Sequence, residues 1–283
     1  MKADFRHKPE WLRIKLPRGF KAEQVVGLLN DRHIHTICSS GMCPNRGECW
    51  SRGTATFMIG GNVCTRACRF CNVATGRPAP LDPAEIEHIA GSVKELGLKH
   101  VVLTSVDRDD LPDYGAAHWA AMVRRIHELS PETTIETLIP DMRGRHDLLD
   151  LIIAERPDVI SHNMETVRRL TPDVRSVATY DCSLGVLRHL SSRGVRTKSG
   201  IMLGLGETHD EIIETLRDLR EAGCHVVTIG QYLQPTRKHW PVQEYIEPEE
   251  FDRLGEIARG MGFTHVESAP MVRSSYHAEK HVL

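Results

Sequence analysis

From residue 53 onward the chain alternates short β-rich runs with amphipathic helical patterns, and no other feature constrains the fold as much. The runs TATFMIGG, HVVLTSV, TTIETLI, DVISHN, RTKSGIML and HVVTIGQYL read as six strands. Between them DPAEIEHIAGSVKELG, AAHWAAMVRRIHEL, RHDLLDLIIAE, YDCSLGVLRHLSSRG and HDEIIETLRDLREAG read as helices, the first with Ile86, Ile89, Val93 and Leu96 on one face. Gly97, Gly194 and Gly223 stand where a left-handed residue ends a helix. Asp82-Pro83 reads as an N-cap followed by proline at the first helical position. Strand–helix repeats with short connections build a parallel sheet through right-handed crossovers. Six units are too few to close an eight-stranded barrel. The expected fold is therefore α/β, an open, partial (β/α)6 TIM-like barrel.

Two pieces fall outside the repeat. Residues 1–53 carry one helical stretch, AEQVVGLLND, and three cysteines. Residues 236–283 add a helix, PEEFDRLGEIARGMG, a strand, THVES, and the tail APMVRSSYHAEKHVL. No Pro/Gly/Ser-rich linker sets either apart from the barrel at 54–235, so all three are expected to form one structural unit. The 40% hydrophobic and 26% charged residues are ordinary globular values. A net charge of −2, with Lys and Arg scattered, points away from nucleic-acid and anionic-membrane partners. No run reaches the ~18 apolar residues of a membrane span, and MKADFRHKPEWLRIKLP lacks the apolar core of a signal peptide. The expected location is the cytoplasm, where clustered cysteines bind metal or do redox chemistry rather than form structural disulfides.

The strands' C-terminal ends are where such barrels place chemistry. Polar residues gather there: Thr104, Ser105 and Asp107, then His162, Asn163 and Glu165, then GLGE at 204–207, then Gln231. A cap or turn accounts for any one of them; the set at one rim is the candidate site.

Six of the eight cysteines lie between positions 38 and 71. CTRACRFC places Cys64, Cys68 and Cys71 at C-x3-C-x2-C spacing on the loop after the first strand. Three thiolates on one tight loop can each hold one iron of a four-iron cluster and leave the fourth iron open. A structural zinc site is the competing reading, but it wants four ligands, commonly as paired C-x2-C motifs. The wider C-x4-C-x5-C triplet, Cys38, Cys43 and Cys49, suits a second cluster, with zinc again the alternative. Cys182 and Cys224 stand alone in helical stretches and read as buried small apolar residues.

The second triplet, with Phe70 before its last cysteine, resembles the signature of the radical S-adenosylmethionine superfamily. That resemblance implies that the open iron is chelated by the amino and carboxylate groups of S-adenosylmethionine. Reductive cleavage of the sulfonium then gives a 5′-deoxyadenosyl radical that abstracts an unactivated hydrogen. CPNRGECW, CTRACRFCNVATGRP, LTSVDRDDLPDYG, HNMETV, TKSGIMLGLGET, QYLQPTRKHWPV and VRSSYHAE, in that order, narrow the resemblance to the lipoyl synthase family. The resemblance implies two 4Fe-4S clusters. One is held by Cys64, Cys68 and Cys71, and an auxiliary one by Cys38, Cys43, Cys49 and a serine of Arg273-Ser274-Ser275-Tyr276. It favours Ser275 over Ser274 as that ligand.

The implied reaction inserts two sulfur atoms, drawn from the auxiliary cluster, at C6 and C8 of a protein-bound N6-octanoyl-lysine. Implied partners are octanoylated lipoyl carriers (dehydrogenase acyltransferase subunits and the glycine cleavage H protein), an electron donor such as flavodoxin or ferredoxin, and an iron–sulfur carrier that rebuilds the spent cluster. Asn163 and Glu165 of HNMET, with Arg175 and Lys198, are the candidates for binding the methionyl carboxylate, amino group or ribose. That mix of amide, anion and cations suits a zwitterion. One departure stands out: Ser39-Ser40-Gly41-Met42 replaces the family's Glu-Glu-Ala and a variable residue, with cysteine spacing kept. Competing functions are a radical enzyme with another sulfur-insertion or methylthiolation task, against which the RSSY segment argues, and a non-catalytic iron–sulfur electron carrier, which needs no open iron.

Overall fold

The computed structural model describes residues 8–13, 27, 29, 32, 34–51 and 56–282, so AEQVVGLLND lies largely outside the described residues. The chain divides into two units, each built on parallel strands.

The N-terminal unit comprises Ile14–Arg66, Asn72–Val159 and Ala278–Leu283. It opens with two short helices, α1 (Ile37–Ser40) and α2 (Arg46–Ser51). Strand β1 (Thr56–Ile59) follows, then the two-residue strands β2 (Val63–Cys64) and β3 (Ala74–Thr75), which pair with each other. The repeat continues through α3 (Glu85–Glu95), β4 (His100–Ser105), α4 (Ala116–Leu129), β5 (Thr134–Leu138) and α5 (His146–Ala154). Strand β4 lies between β1 and β5, parallel to both, with Met58 opposite Thr104 and Thr104 opposite Leu138. The core is mainly apolar, with Phe57, Ile59, Leu103, Trp119, Met122, Ile126, Ile135, Leu149 and Ile152 buried, but it also encloses Arg66, Glu136 and Asp141. Helix α3 starts two residues later than its sequence suggests. Asp82 still accepts from Ala84 N at 2.9 Å, but it caps a turn that feeds the helix rather than the helix itself. The short 3-10 turn Ala278–His281 rests on β4.

The C-terminal unit comprises Met1–Arg13, Ala67–Cys71 and Ile160–His277. Its elements are β6 (Val159–Ser161), α6 (Thr171–Val174), α7 (Tyr180–Ser192), β7 (Thr197–Leu203), α8 (His209–Glu221), β8 (Val226–Gln231), α9 (Pro248–Gly260) and β9 (His265–Ser268). Strands β6, β7, β8 and β9 are parallel neighbours in chain order. Helix α8 begins with a reciprocal capping box between Thr208 and Glu211. Gly194 and Gly223, at φ 75° and 85°, take the left-handed conformation their positions predict, as Gly97 does at φ 58°. The core gathers Leu184, Leu187, Ile201, Leu203, Leu216, Ile229, Phe251 and Leu254.

The open α/β class is the one expected, but the repeat runs one strand further. THVES, placed outside the barrel on sequence, pairs parallel to β8 with Val226 opposite His265, and α9 is the crossover that leads to it. Cys182 also differs from expectation. It is only half-buried, whereas Cys224 is fully buried and burial pushes its thiol up to about 12. Among the described residues no helix is long and apolar enough to cross a membrane.

Candidate functional site

The loop that carries CTRACRFC leaves β1 through Gly60-Gly61. Both amides donate to the Glu85 carboxylate, at 2.8 and 3.2 Å, and Arg108 Nη1 donates to Gly60 O at 3.1 Å. The next strand ends on Cys64, whose Sγ accepts N–H groups from Arg66 at 3.4 Å and Asp107 at 3.3 Å. The thiol in turn donates to Asp107 Oδ2 at 3.6 Å; the two amides would favour a thiolate there, and the neighbouring carboxylate opposes it.

Two residues on, Arg66 plunges into the N-terminal unit with a side chain only 4% exposed. Its fork donates to Asp109 (2.7 and 2.9 Å) and to Asp141 (2.8 Å twice), with Asp107 at 3.3 Å. Burial works against the guanidinium's charge, but these carboxylates outweigh it and raise its pKa. Burial would also lift the Asp109 carboxyl, yet Arg66, Arg143 and Thr65 hold it below the usual range. For Asp107 burial wins over Arg66 and pushes the carboxyl up.

Cys68 and Cys71 belong to the C-terminal unit. The loop is gripped there from two sides. On one, Ala67 N donates to Ser176 Oγ (3.1 Å), Arg69 N donates to Val174 O (2.8 Å), and Cys68 Sγ lies 3.8 Å from Ser176 Oγ. On the other, Trp240 N donates to Arg69 O (2.7 Å), and the Arg69 guanidinium lies 4.4 Å from the Trp240 ring centroid. His239 Nε2 stands 3.0 Å from Cys71 O and its Nδ1 2.9 Å from Thr236 Oγ1. The carbonyl can only accept, so Nε2 carries the proton and the Thr236 hydroxyl donates to Nδ1.

The first triplet is stitched by local turns in the N-terminal unit. Cys43 N donates to Cys38 O (3.1 Å), Arg46 N to Cys43 O (3.3 Å) and Cys49 N to Asn45 O (2.9 Å). The departure from the family at 39–42 has a steric aspect: a Cβ on Gly41 would meet Ile37 O at 2.8 Å, so alanine fits here only if the turn shifts. None of the eight cysteines is in a disulfide. Among the described residues no three His, Cys, Asp or Glu side chains converge on a single ion. A four-iron cluster sets a different requirement, since each thiolate serves its own iron.

The four candidates for S-adenosylmethionine all lie in the C-terminal unit. Glu165 stands in the left-handed region (φ 68°) yet bridges to β7, its N donating to Gly200 O and its O accepting from Met202 N, both at 2.9 Å. A non-glycine residue held there is strained, and such strain gathers at functional sites. Burial pushes its carboxyl up, against the Arg175 charge and a hydrogen bond from Asn163. Arg175 is buried, with Nη1 on Ser183 Oγ (2.9 Å) and Met164 O (3.3 Å), so part of its fork holds the HNMET turn. Lys198, fully buried on β7, pairs in register with Ser161.

Asn163 is the informative one. Its Nδ2 donates to Ser274 Oγ at 2.6 Å, while its buried Oδ1 has no partner among the described residues. The space beside Oδ1 exists because residue 200 is glycine: a Cβ there would sit 3.2 Å from Oδ1 and 2.5 Å from Thr228 Oγ1. An orphaned buried acceptor fits an ammonium or hydroxyl donor from a ligand. The serine segment reaches this place by a second close approach. Gln231 N donates to Pro270 O at 3.2 Å, and a Cβ on Gly230 would lie 2.2 Å from Val272 O.

Several other rim residues are engaged in structure, whereas the buried Ser105 Oγ has no hydrogen-bond partner among the described residues. The buried Gln231 amide donates to Leu203 O, Tyr232 O and Glu244 O, and its Oε1 accepts from Ile246 N at 2.9 Å. Glu207 accepts the amides of Gly204 and Leu205 and closes its own turn. His162 Nε2 pairs with Ser183 Oγ at 2.9 Å. Sequence reasoning missed Arg66, Asp141, Ser176 and His239. Arg66 and Ser176 lie within two residues of a singled-out cysteine or arginine, and His239 lies within the QYLQPTRKHWPV stretch, which was the available signal.

Residues 58–219 match the Radical SAM superfamily. The chain is 60% identical to a lipoyl synthase of Porphyromonas gingivalis over 97% of its own length and 98% of that protein's. It is 56% identical to a lipoyl synthase of Bacteroides thetaiotaomicron, with 99% of each chain covered. Among solved structures it resembles methylornithine synthase (TM-score 0.56, 16% identity, 74% of this chain and 70% of that one). It also resembles a maturase of the [FeFe]-hydrogenase (TM-score 0.58, 12% identity, 80% and 61%). At such identities the likeness speaks for the fold.

Proposed function

We infer the roles of individual residues from one premise: the chain belongs to the lipoyl synthase family of the radical S-adenosylmethionine superfamily. The enzyme is a sulfurtransferase that converts a protein-bound N6-octanoyl-lysine to N6-lipoyl-lysine by inserting sulfur at C6 and C8. Two 4Fe-4S clusters and S-adenosylmethionine, when bound, supply the hydrogen-abstracting radical and the sulfur.

Cys64, Cys68 and Cys71 hold the cluster that binds S-adenosylmethionine. Cys38, Cys43, Cys49 and Ser275 hold the auxiliary cluster. The choice of Ser275 is supported by what Ser274 does: its hydroxyl is engaged by Asn163, whereas no side-chain hydrogen bond involves Ser275 among the described residues. A serine oxygen is a harder ligand than thiolate and releases its iron more readily, which suits a cluster consumed as sulfur source. Asn163, Glu165, Arg175 and Lys198 bind the methionyl and ribose groups. Asn163 Oδ1 accepts from the ligand, Glu165 faces the ammonium, and Lys198 and the remaining Arg175 donors face the carboxylate. The single observation that carries this reading is the Asn163–Ser274 hydrogen bond with Oδ1 left over, because it puts the HNMET and RSSY motifs side by side.

The substrate is an octanoylated lipoyl carrier protein. The electron donor is a low-potential protein such as flavodoxin or ferredoxin, and an iron–sulfur carrier restores the auxiliary cluster. Six clustered thiols support a reducing compartment, the cytoplasm, as its location. Anaerobic reconstitution tests the whole assignment. It should load roughly eight irons per chain, four per cluster. With reductant, S-adenosylmethionine and an octanoyl-lysyl carrier peptide it should give 5′-deoxyadenosine with 6-thio and dithiolated peptide. Deoxyadenosine without thiolation would sink the assignment.

A further inference from the structure

The electron that starts each cycle must enter from outside, and transfer over distance favours the surface nearest the cluster. Cys68 and Cys71 lie on a loop whose outer side is bordered by exposed Ala67, Arg69 and Ser176. Arg69 is held flat against Trp240 (4.4 Å), with its backbone fixed at both ends. The nearby Asp173 meets it only through a backbone carbonyl, 3.5 Å from Nη1.

Beside it, the turn Thr236–His239 presents exposed Arg237 and Lys238. The turn is closed by His239 N on Thr236 O (3.1 Å) and tied through the His239 ring to Cys71 O (3.0 Å). Neither Arg69, Arg237 nor Lys238 forms an ion pair among the described residues. Exposed Arg145, Arg168 and Arg169 each meet a carboxylate at 2.5–2.7 Å, whereas exposed Arg77, Arg188 and Arg217 form no ion pair among the described residues, so it is the position beside the Cys68–Cys71 loop that sets this group apart. Three uncompensated cations, one of them rigidly stacked, thus cluster one hydrogen bond from a cluster ligand in a chain of net charge −2.

We propose that this face, Arg69 with the Arg237-Lys238 turn, is the docking surface for a small acidic one-electron carrier protein. The proposal rests on the assignment of Cys68 and Cys71 to the cluster that binds S-adenosylmethionine. In the transfer one electron leaves the donor, which is oxidised by one unit, and enters that cluster, which is reduced by one unit. No bond forms or breaks at the docking face. Complementary charge acts mainly on encounter rate, so salt weakens it.

The test compares two electron sources, reduced flavodoxin as the acidic protein probe and dithionite as a small reductant. With flavodoxin below saturation at low salt, Arg237→Glu/Lys238→Glu should slow deoxyadenosine formation by about tenfold or more, and Arg237→Gln/Lys238→Gln by less. Dithionite-driven rates and iron content should match the wild type. Salt should slow the wild type with flavodoxin and leave dithionite turnover unchanged.

An unchanged flavodoxin rate in the charge-reversed protein overturns the proposal. So does a raised KM for the octanoylated carrier under dithionite, which would make this face the substrate's dock. If the charge-reversed protein loses iron, the glutamine pair decides: equal losses with both donors overturn the idea. Failure of the wild type itself to make deoxyadenosine with dithionite would strike the cluster assignment instead.

Discussion

Arg66→Ala gives the sharpest test of how the N-terminal unit supports its cysteine. The wild-type fork makes four hydrogen bonds of 2.7–2.9 Å to two carboxylates, one of which, Asp141, is 2% exposed. Replacing the pair with apolar residues could be neutral, but removing one partner leaves buried charge uncompensated, at a cost of about 3–5 kcal/mol. That is a large part of the 5–15 kcal/mol typical of a folded protein. With a urea slope near 2–3 kcal/mol/M, the unfolding midpoint should fall by about 1–2.5 M. Arg66→Lys should fall between, since an ammonium keeps the charge and loses the fork. Adding Asp109→Asn and Asp141→Asn to Arg66→Ala should recover most of the loss, because the penalty lies in the stranded anions.

The pH dependence has a definite sign. Asp109 is held below its unfolded value, so its contribution is fully present above that value and is lost as pH falls through the folded one. The gap between wild type and Arg66→Ala should therefore narrow below about pH 4. Urea titrations of the apo-protein at pH 7 and at pH 3.5–4 measure both effects. A loss under about 1 kcal/mol at pH 7, or a triple variant no better than the single one, refutes the reasoning.

Ser275→Ala should leave deoxyadenosine formation intact while abolishing thiolation. Ser274→Ala should instead free the Asn163 amide and weaken S-adenosylmethionine binding, seen as a raised KM in the uncoupled cleavage assay. Gly200→Ala, whose Cβ would crowd Thr228 Oγ1 and Asn163 Oδ1, should destabilise by about 1–3 kcal/mol and raise that same KM. Adding Thr228→Ala should relieve the stability loss more than the KM. His239→Ala should cut cleavage about tenfold, the equivalent of one lost hydrogen bond. His239→Gln, which can still donate to Cys71 O, should keep more, and iron loading by Cys38, Cys43 and Cys49 should be unaffected in both.

Most of the fold was legible because strands and helices here follow local patterning. AAHWAAMVRRIHEL is α4 to the residue, and the three predicted helix-ending glycines all take positive φ. The misjudgement of THVES has a physical cause. All four residues of β9 are only half-buried, so the segment lacks the apolar run of an inner strand, and its place is set by pairing with β8 some forty positions earlier. Rim polarity misled in a different way. Gln231 and Glu207 sit at strand ends as catalytic residues do, but their side chains are consumed by loop backbone. Composition cannot tell an amide that closes a turn from one that faces a ligand; only the count of satisfied atoms does.

That count is also what separates the two serines, and it reaches beyond assignment. Neighbouring hydroxyls at 274 and 275 were indistinguishable on sequence, since the partner that decides between them, Asn163, lies 111 positions away. If Asn163, whose Oδ1 has no partner among the described residues, binds S-adenosylmethionine as proposed, Ser275 stands one residue from that contact by covalent geometry alone. Making that contact should order Asn163, hence Ser274, hence the backbone that presents Ser275. The proposed roles then predict that binding of S-adenosylmethionine and the hold of Ser275 on its iron are coupled through the Asn163–Ser274 hydrogen bond. If so, auxiliary iron retention should respond to S-adenosylmethionine more strongly in the wild type than in the Ser274→Ala variant, an ordering that independent serines would not produce.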